Sequence, residues 1–138
     1  MGQEQQLIPG ESIVLVAAAA YLVLVALLIG SFINLAADRL PRRESLVRPR
    51  SHCRSCGRVL NAVDLIPVCG YFIRGGRCAG CGISIAAASP AVEALCGALM
   101  LAPLMVLGLI PGAVVGGAAV ALVGVTTVGL SFARNSSG

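Results

Sequence analysis

Two uncharged apolar runs flank an arginine-rich middle, and their lengths decide the first elements. Residues 12–37 carry no charged side chain, and neither do residues 94–133. One bilayer crossing takes roughly 20 apolar residues at about 1.5 Å rise each. The first run therefore accommodates one transmembrane helix and the second accommodates two. Within the second, "LIPGAV" sets the helix breakers Pro111 and Gly112 between apolar segments of similar length, which predicts a tight turn there. The expected spans are 12–35, 91–110 and 113–133. Pro103 falls inside the second and is expected to kink it.

The fold class that follows is a mainly α integral membrane protein: three transmembrane helices, with a small cytoplasmic zinc-ribbon-like insert between the first and second. The expected segments are 1–37, an N-terminal tail with the first helix; 38–90, the insert; and 91–138, the remaining two helices with a short cytoplasmic tail. Composition agrees. Charged residues make up 12% and the mean hydropathy is +0.92, whereas soluble domains carry about 25% charged residues.

The charges are unevenly placed. All ten basic residues are arginine; nine lie between Arg39 and Arg77, and the tenth, Arg134, follows the third span. Basic residues beside span ends stay in the cytoplasm, so the N-terminus is expected outside and the insert and C-terminus inside. The net charge of +4 acts first as this orientation signal and second as an attraction to anionic head groups. The leading "MGQEQQLIPGE" has two glutamates and no basic residue, unlike a cleaved signal peptide, so a retained anchor is expected. Aromatic residues are 4% of the chain. Single-strand nucleic-acid binding relies on aromatic stacking, and no nucleic-acid partner is expected.

Cys53, Cys56, Cys78 and Cys81 form C-x2-C-x21-C-x2-C, close to a recognised zinc pattern. Each C-x2-C turn brings two thiolates to one side of the backbone, and two turns complete a tetrahedron. Gly57 and Gly82 follow the knuckles and allow the backbone to fold round the sulfurs. A site closed by four sulfurs is structural: it would staple an insert with little core of its own. Two disulfides are the competing chemistry, disfavoured in a reducing cytoplasm. His52 adjoins the first knuckle as a rival ligand. Cys69 and Cys96 sit in apolar runs and are expected to be buried as small hydrophobes.

Ser31, Asn34 and Asp38 share one helix face at i, i+3 and i+7. Glu93, at the start of the second span, is placed to meet that face and to pair with an insert arginine. Two readings stay open: a substrate or cofactor groove at the membrane interface, or interhelical hydrogen bonding. Asp64, before Ile66 and Pro67, is either a further groove residue or a turn-former. In the third span Gly112 and Gly116 stand in G-x-x-x-G spacing, continued by Gly117 and Ala121, and are expected to pack closely on the other spans.

The segments "GSFINLAADRLPRR" (30–43), "SHCRSCGRVLNAVDLIPVCGYFIRGGRCAGCG" (51–82) and "SPAVEAL" (89–95) together resemble the N-terminal domain of bacterial type IV prepilin peptidases. The chain differs from that pattern at Ala87, Ala88 and Ser89, and in having Tyr71 where the family usually has Trp. The resemblance implies a bacterial inner-membrane location, prepilin or pseudopilin substrates, and N-methylation that would use S-adenosylmethionine. No glycine-rich nucleotide fingerprint accompanies it. The family's peptidase chemistry rests on two aspartates in later spans, able to share a proton and activate water. In this sequence no acidic residue follows Glu93. The chain alone is therefore not expected to cleave peptides. Three roles fit: a domain working beside a separately encoded aspartyl peptidase half, an inactive fragment of a longer enzyme, or a membrane-tethered zinc-ribbon adaptor.

Overall fold

A computed structural model describes residues 9–48, 50–86 and 88–136. The leading segment 1–8 and Ala87, which carry some of the expectations above, lie outside the described residues. Among the described residues four α-helices follow in order: α1, Pro9–Arg39; α2, Cys69–Ile73; α3, Ala88–Leu107; and α4, Leu109–Ser136, with a 3-10 turn at Val63–Leu65 before α2. There are no named strands among the described residues, only isolated antiparallel bridges in the insert, His52 to Val59 and Arg77 to Ser84. The architecture is the expected one, three long apolar helices with the cysteine-bearing insert between α1 and α3.

All three long helices are long and apolar enough to cross a membrane. They pack mutually, with α3 the most enclosed: 33% of its most apolar window is buried, against 11% for α1 and for α4. The core is a narrow seam of Ala26 and Ile33 from α1, Cys96, Met100 and Leu104 from α3, and Val120 from α4. Outside that seam Ile13, Val16, Val106, Ile110 and Val125 are exposed. This pattern suits lipid as solvent, because lipid tails supply no hydrophobic drive and helices associate through close packing of small residues.

Glycine makes the close packing. A Cβ on Gly30 would stand 2.8 Å from the Cα of Glu93, and one on Gly112 would stand 2.6 Å from the Cα of Leu104. Gly116 meets Met100 and Leu99 in the same way, whereas Gly117 has open space beside it. The G-x-x-x-G pair is thus spent inside the bundle, against α3.

The turn between the last two helices differs from expectation. It falls at Gly108, with φ of +83°, and not at Pro111 and Gly112, which lie within α4. Gly108 adopts the left-handed conformation that commonly ends a helix. Pro111 is tolerated because it sits in the first turn, where backbone N–H groups have no intrahelical acceptor. Gly112 is needed for contact, not for bending.

Candidate functional site

The insert is built from two matching knuckles. In the first, the Cys53 N–H donates to Arg58 O and the Gly57 N–H to Cys53 O, both at 2.8 Å. In the second, the Cys78 N–H donates to Ile83 O and the Gly82 N–H to Cys78 O, both at 2.9 Å. Gly57 and Gly82 both have φ of +71°, a conformation that costs most residues about 1–2 kcal/mol. The equivalence of the two turns explains why each C-x2-C pair is followed by glycine.

The knuckles face each other. Cys53 Sγ lies 3.9 Å from Cys81 Sγ, and Cys56 Sγ lies 3.9 Å from Cys78 Sγ. All four sulfurs fall within 4.8 Å of one another. A tetrahedron with metal–sulfur bonds of about 2.3 Å has edges of about 3.8 Å, so the donor set fits a metal ion. All six cysteines are free thiols. Backbone N–H groups of Cys81 and Gly80 pull the Cys78 thiol down to about 6, favouring thiolate there, whereas at Cys56 the Arg58 backbone N–H is outweighed by burial and the neighbouring thiols, which push it up to about 11. His52 points elsewhere: its Nδ1 lies 3.0 Å from Arg50 O. Cys96 is fully buried, but Cys69 is exposed, contrary to expectation. The short α2 buries Gly70 instead, whose missing side chain lets it sit on the backbone of Val63 and Asp64.

Between the insert and the insert-side ends of α1 and α3 lies a cavity of about 620 Å³. Ser31, Asn34, Asp38, Asp64 and Glu93 all line it. Their individual bonds are specific. The Asn34 amide donates to Ser89 O at 2.9 Å, tying α1 to the start of α3. Asp38 accepts from Arg54 at 2.6 Å, and the same guanidinium reaches Glu44 at 3.0 Å. Since Arg54 lies between Cys53 and Cys56, this pair fixes the first cysteine turn to the end of α1.

Asp64 is only 7% exposed at its side chain and binds Arg74 at 2.6 Å and Arg58 at 3.0 Å. Its carboxylate also accepts the Asn61 N–H, and its own N–H donates to Asn61 Oδ1. The Asn61 backbone bond, with Arg74 and Arg58 adding to it, holds the Asp64 carboxyl below the ordinary carboxylate value. Glu93 does not pair with an arginine among the described residues. It accepts the Val68 N–H at 2.6 Å and is 7% exposed as a residue. Val68 has φ of +59° and ψ of −55°, and the Cys69 N–H lies 2.5 Å from Pro67 O across it. That is the rare positive-φ γ-turn, a strained conformation for a β-branched residue.

Sequence alone did not mark Arg54, Arg58, Arg74, Asn61 or Val68 as site residues. Arg54, inside "CRSC", and Asn61, three residues before Asp64, carried a readable signal; the strained turn at Val68 carried none.

The family model of the bacterial peptidase A24 N-terminal domain matches residues 24–107, which include the second half of α1, the whole insert and α3. The chain belongs to this family. Relatives of the A24 N-terminal domain family include a prepilin leader peptidase/N-methyltransferase of Myxococcus xanthus, 42% identical over 61% of this chain and 25% of the relative. Another of the same name, from Bacillus subtilis, is 39% identical over 49% of this chain and 27% of its own length. A third, from Burkholderia pseudomallei, is 32% identical over 64% of this chain and 37% of the relative. The chain thus spans between a quarter and two fifths of these relatives. No solved structure matches the chain.

Proposed function

We propose that the chain acts in prepilin or pseudopilin processing, as the N-terminal domain that holds the substrate at the face of a bacterial inner membrane. The observation that carries this reading is the family match, which runs through both helices and the insert that enclose the cavity. Cys53, Cys56, Cys78 and Cys81 would hold Zn²⁺. Closed by four sulfurs, the ion would supply no open position for water and serves to fold the insert. The arginine-rich insert and Arg134 support a cytoplasmic placement of the insert and C-terminus, with the N-terminus outside.

Peptide cleavage requires acidic groups that this chain does not carry in its third long helix, where α4 has no Asp or Glu. We assign it to an aspartyl peptidase half acting beside this domain. The relatives' name also includes N-methyltransferase, which brings in S-adenosylmethionine as a methyl donor. No glycine-rich nucleotide turn occurs among the cavity residues, so no methyl-transfer step is assigned to them.

Deleting the chain from its host should leave pilin or pseudopilin with an altered N-terminal mass, by retained leader or by a missing methyl group. Intact-mass spectrometry of the assembled subunit checks this. Unchanged masses would refute the processing role.

A further inference from the structure

Arg58 is held in a way that one carboxylate does not account for. The guanidinium groups of Arg58 and Arg74 share Asp64, at 3.0 and 2.6 Å. Together the three side chains carry an excess of positive charge, and 27%, 28% and 7% of Arg58, Arg74 and Asp64 are exposed. Arg58 Nη1 is enclosed and has no hydrogen-bond partner among the described residues. A buried cation in excess is costly unless negative charge lies close to it. The other acids lining the cavity are committed elsewhere: Asp38 and Glu44 to Arg54, and Glu93 to the Val68 N–H. Arg39, which donates to Ser45 O, and the exposed Arg77 line it too and add positive charge.

The negative charge that remains is sulfur. Arg58 leaves the first knuckle, and its side chain crosses to the second. A Cβ on Gly80 would stand 3.0 Å from Arg58 Cδ and 3.3 Å from Cys56 Sγ. The arginine stem, a cluster sulfur and the second knuckle thus converge on one point, and the missing side chain of Gly80 leaves that place to Arg58. Four thiolates round one Zn²⁺ would carry excess negative charge. Backbone groups meet part of it: the Gly80 N–H lies 3.4 Å from Cys78 Sγ, and the Arg58 N–H faces Cys56.

We infer that Arg58 is a metal-retaining residue: its cation balances the thiolates of Cys53, Cys56, Cys78 and Cys81, while Asp64 fixes its guanidinium against the cavity wall. Arg58 lies outside the ligand set, and its role rests on those four sulfurs holding zinc. Residues that support the ligands of a metal in this way set its affinity by roughly 10–100-fold.

The test uses the full chain purified in detergent, with zinc affinity read by competition against EDTA. Arg58→Gln, which keeps a donor for Asp64 but loses the charge, should lower the affinity roughly tenfold or more. Arg58→Lys keeps the charge and should stay near the unaltered chain. The same pair of measurements in an Asp64→Asn background separates charge from scaffolding. There Arg58 has lost its carboxylate, and Arg58→Gln should again weaken zinc binding. If Arg58 served Asp64 alone, the change would remove an unpaired cation and the affinity would hold or rise; that result would overturn the proposal. Should Asp64→Asn fail to fold the insert, the two single variants still decide, since equal affinities of Arg58→Lys and Arg58→Gln would overturn it as well. An unaltered chain that binds no zinc would retire the metal reading and the role of Arg58 together. Normal zinc binding that Arg58→Gln leaves unchanged would retire the role of Arg58 alone.

Discussion

Asp64 shows how one carboxylate can hold a small insert together. It joins the exit of the first knuckle, through Arg58, to the end of α2, through Arg74. Substituting Asp64→Asn should destabilise the insert by about 1–3 kcal/mol, the cost of leaving partly buried charged donors without their acceptor. Faster tryptic cleavage between residues 39 and 77 would report it. The pH dependence has a definite sign. The folded value lies below the unfolded one, so this contribution is complete well above about pH 4 and is lost as the pH falls through the depressed folded value. The protection difference between the unaltered chain and Asp64→Asn should therefore shrink on acidification; a difference that grows would contradict the assignment.

The same residues show what was legible at this scale. Cysteine spacing foretold two turns facing each other, because sulfur geometry restricts which spacings can close a tetrahedron. The arginines read as an orientation signal, and that reading missed their inward use: Arg54, Arg58 and Arg74 are cross-links as well as charges. Ionic partners distant in sequence leave no periodic trace. Glu93 lines the cavity, and its partner is a backbone N–H, which no side-chain pattern can announce.

Among the elements, the helices were readable because length and apolarity are additive along a chain, whereas the turn was not. Pro111 and Gly112 break helices in general, yet here proline occupies a first turn and glycine a contact point. The distinction gives a paired prediction. Gly112→Ala puts a Cβ 2.6 Å from the backbone of α3, which cannot yield as a side-chain tip can. It should lower stability in detergent by about 1–3 kcal/mol, the usual range for overpacking. Gly117→Ala meets open space and should leave the thermal midpoint unchanged or slightly raised. Equal effects of the two would show that the α3–α4 contact is not set by Gly112.

At the scale of the whole molecule, three helices carry a minidomain in which, among the described residues, only Gly70, Gly76 and Cys78 are buried. The described insert contributes few buried apolar side chains; Cys78 is among them, while Val59, Ile66, Phe72 and Ile83 remain exposed. An insert with so small a core depends on its cross-links. The arginine distribution also makes a topological prediction. A maleimide that cannot cross membranes should label Cys69, the exposed thiol outside the cluster, only after the inner membrane is opened. Labelling of intact spheroplasts would reverse the orientation.

The most direct test of the whole account is the metal content of the chain, purified without chelator under reducing conditions. We predict one zinc per chain by elemental analysis, with a thiol-to-metal ratio that shows Cys53, Cys56, Cys78 and Cys81 protected, and loss of the ion in Cys53→Ser. A folded insert carrying no metal, or those four sulfurs joined as two disulfides, would contradict it.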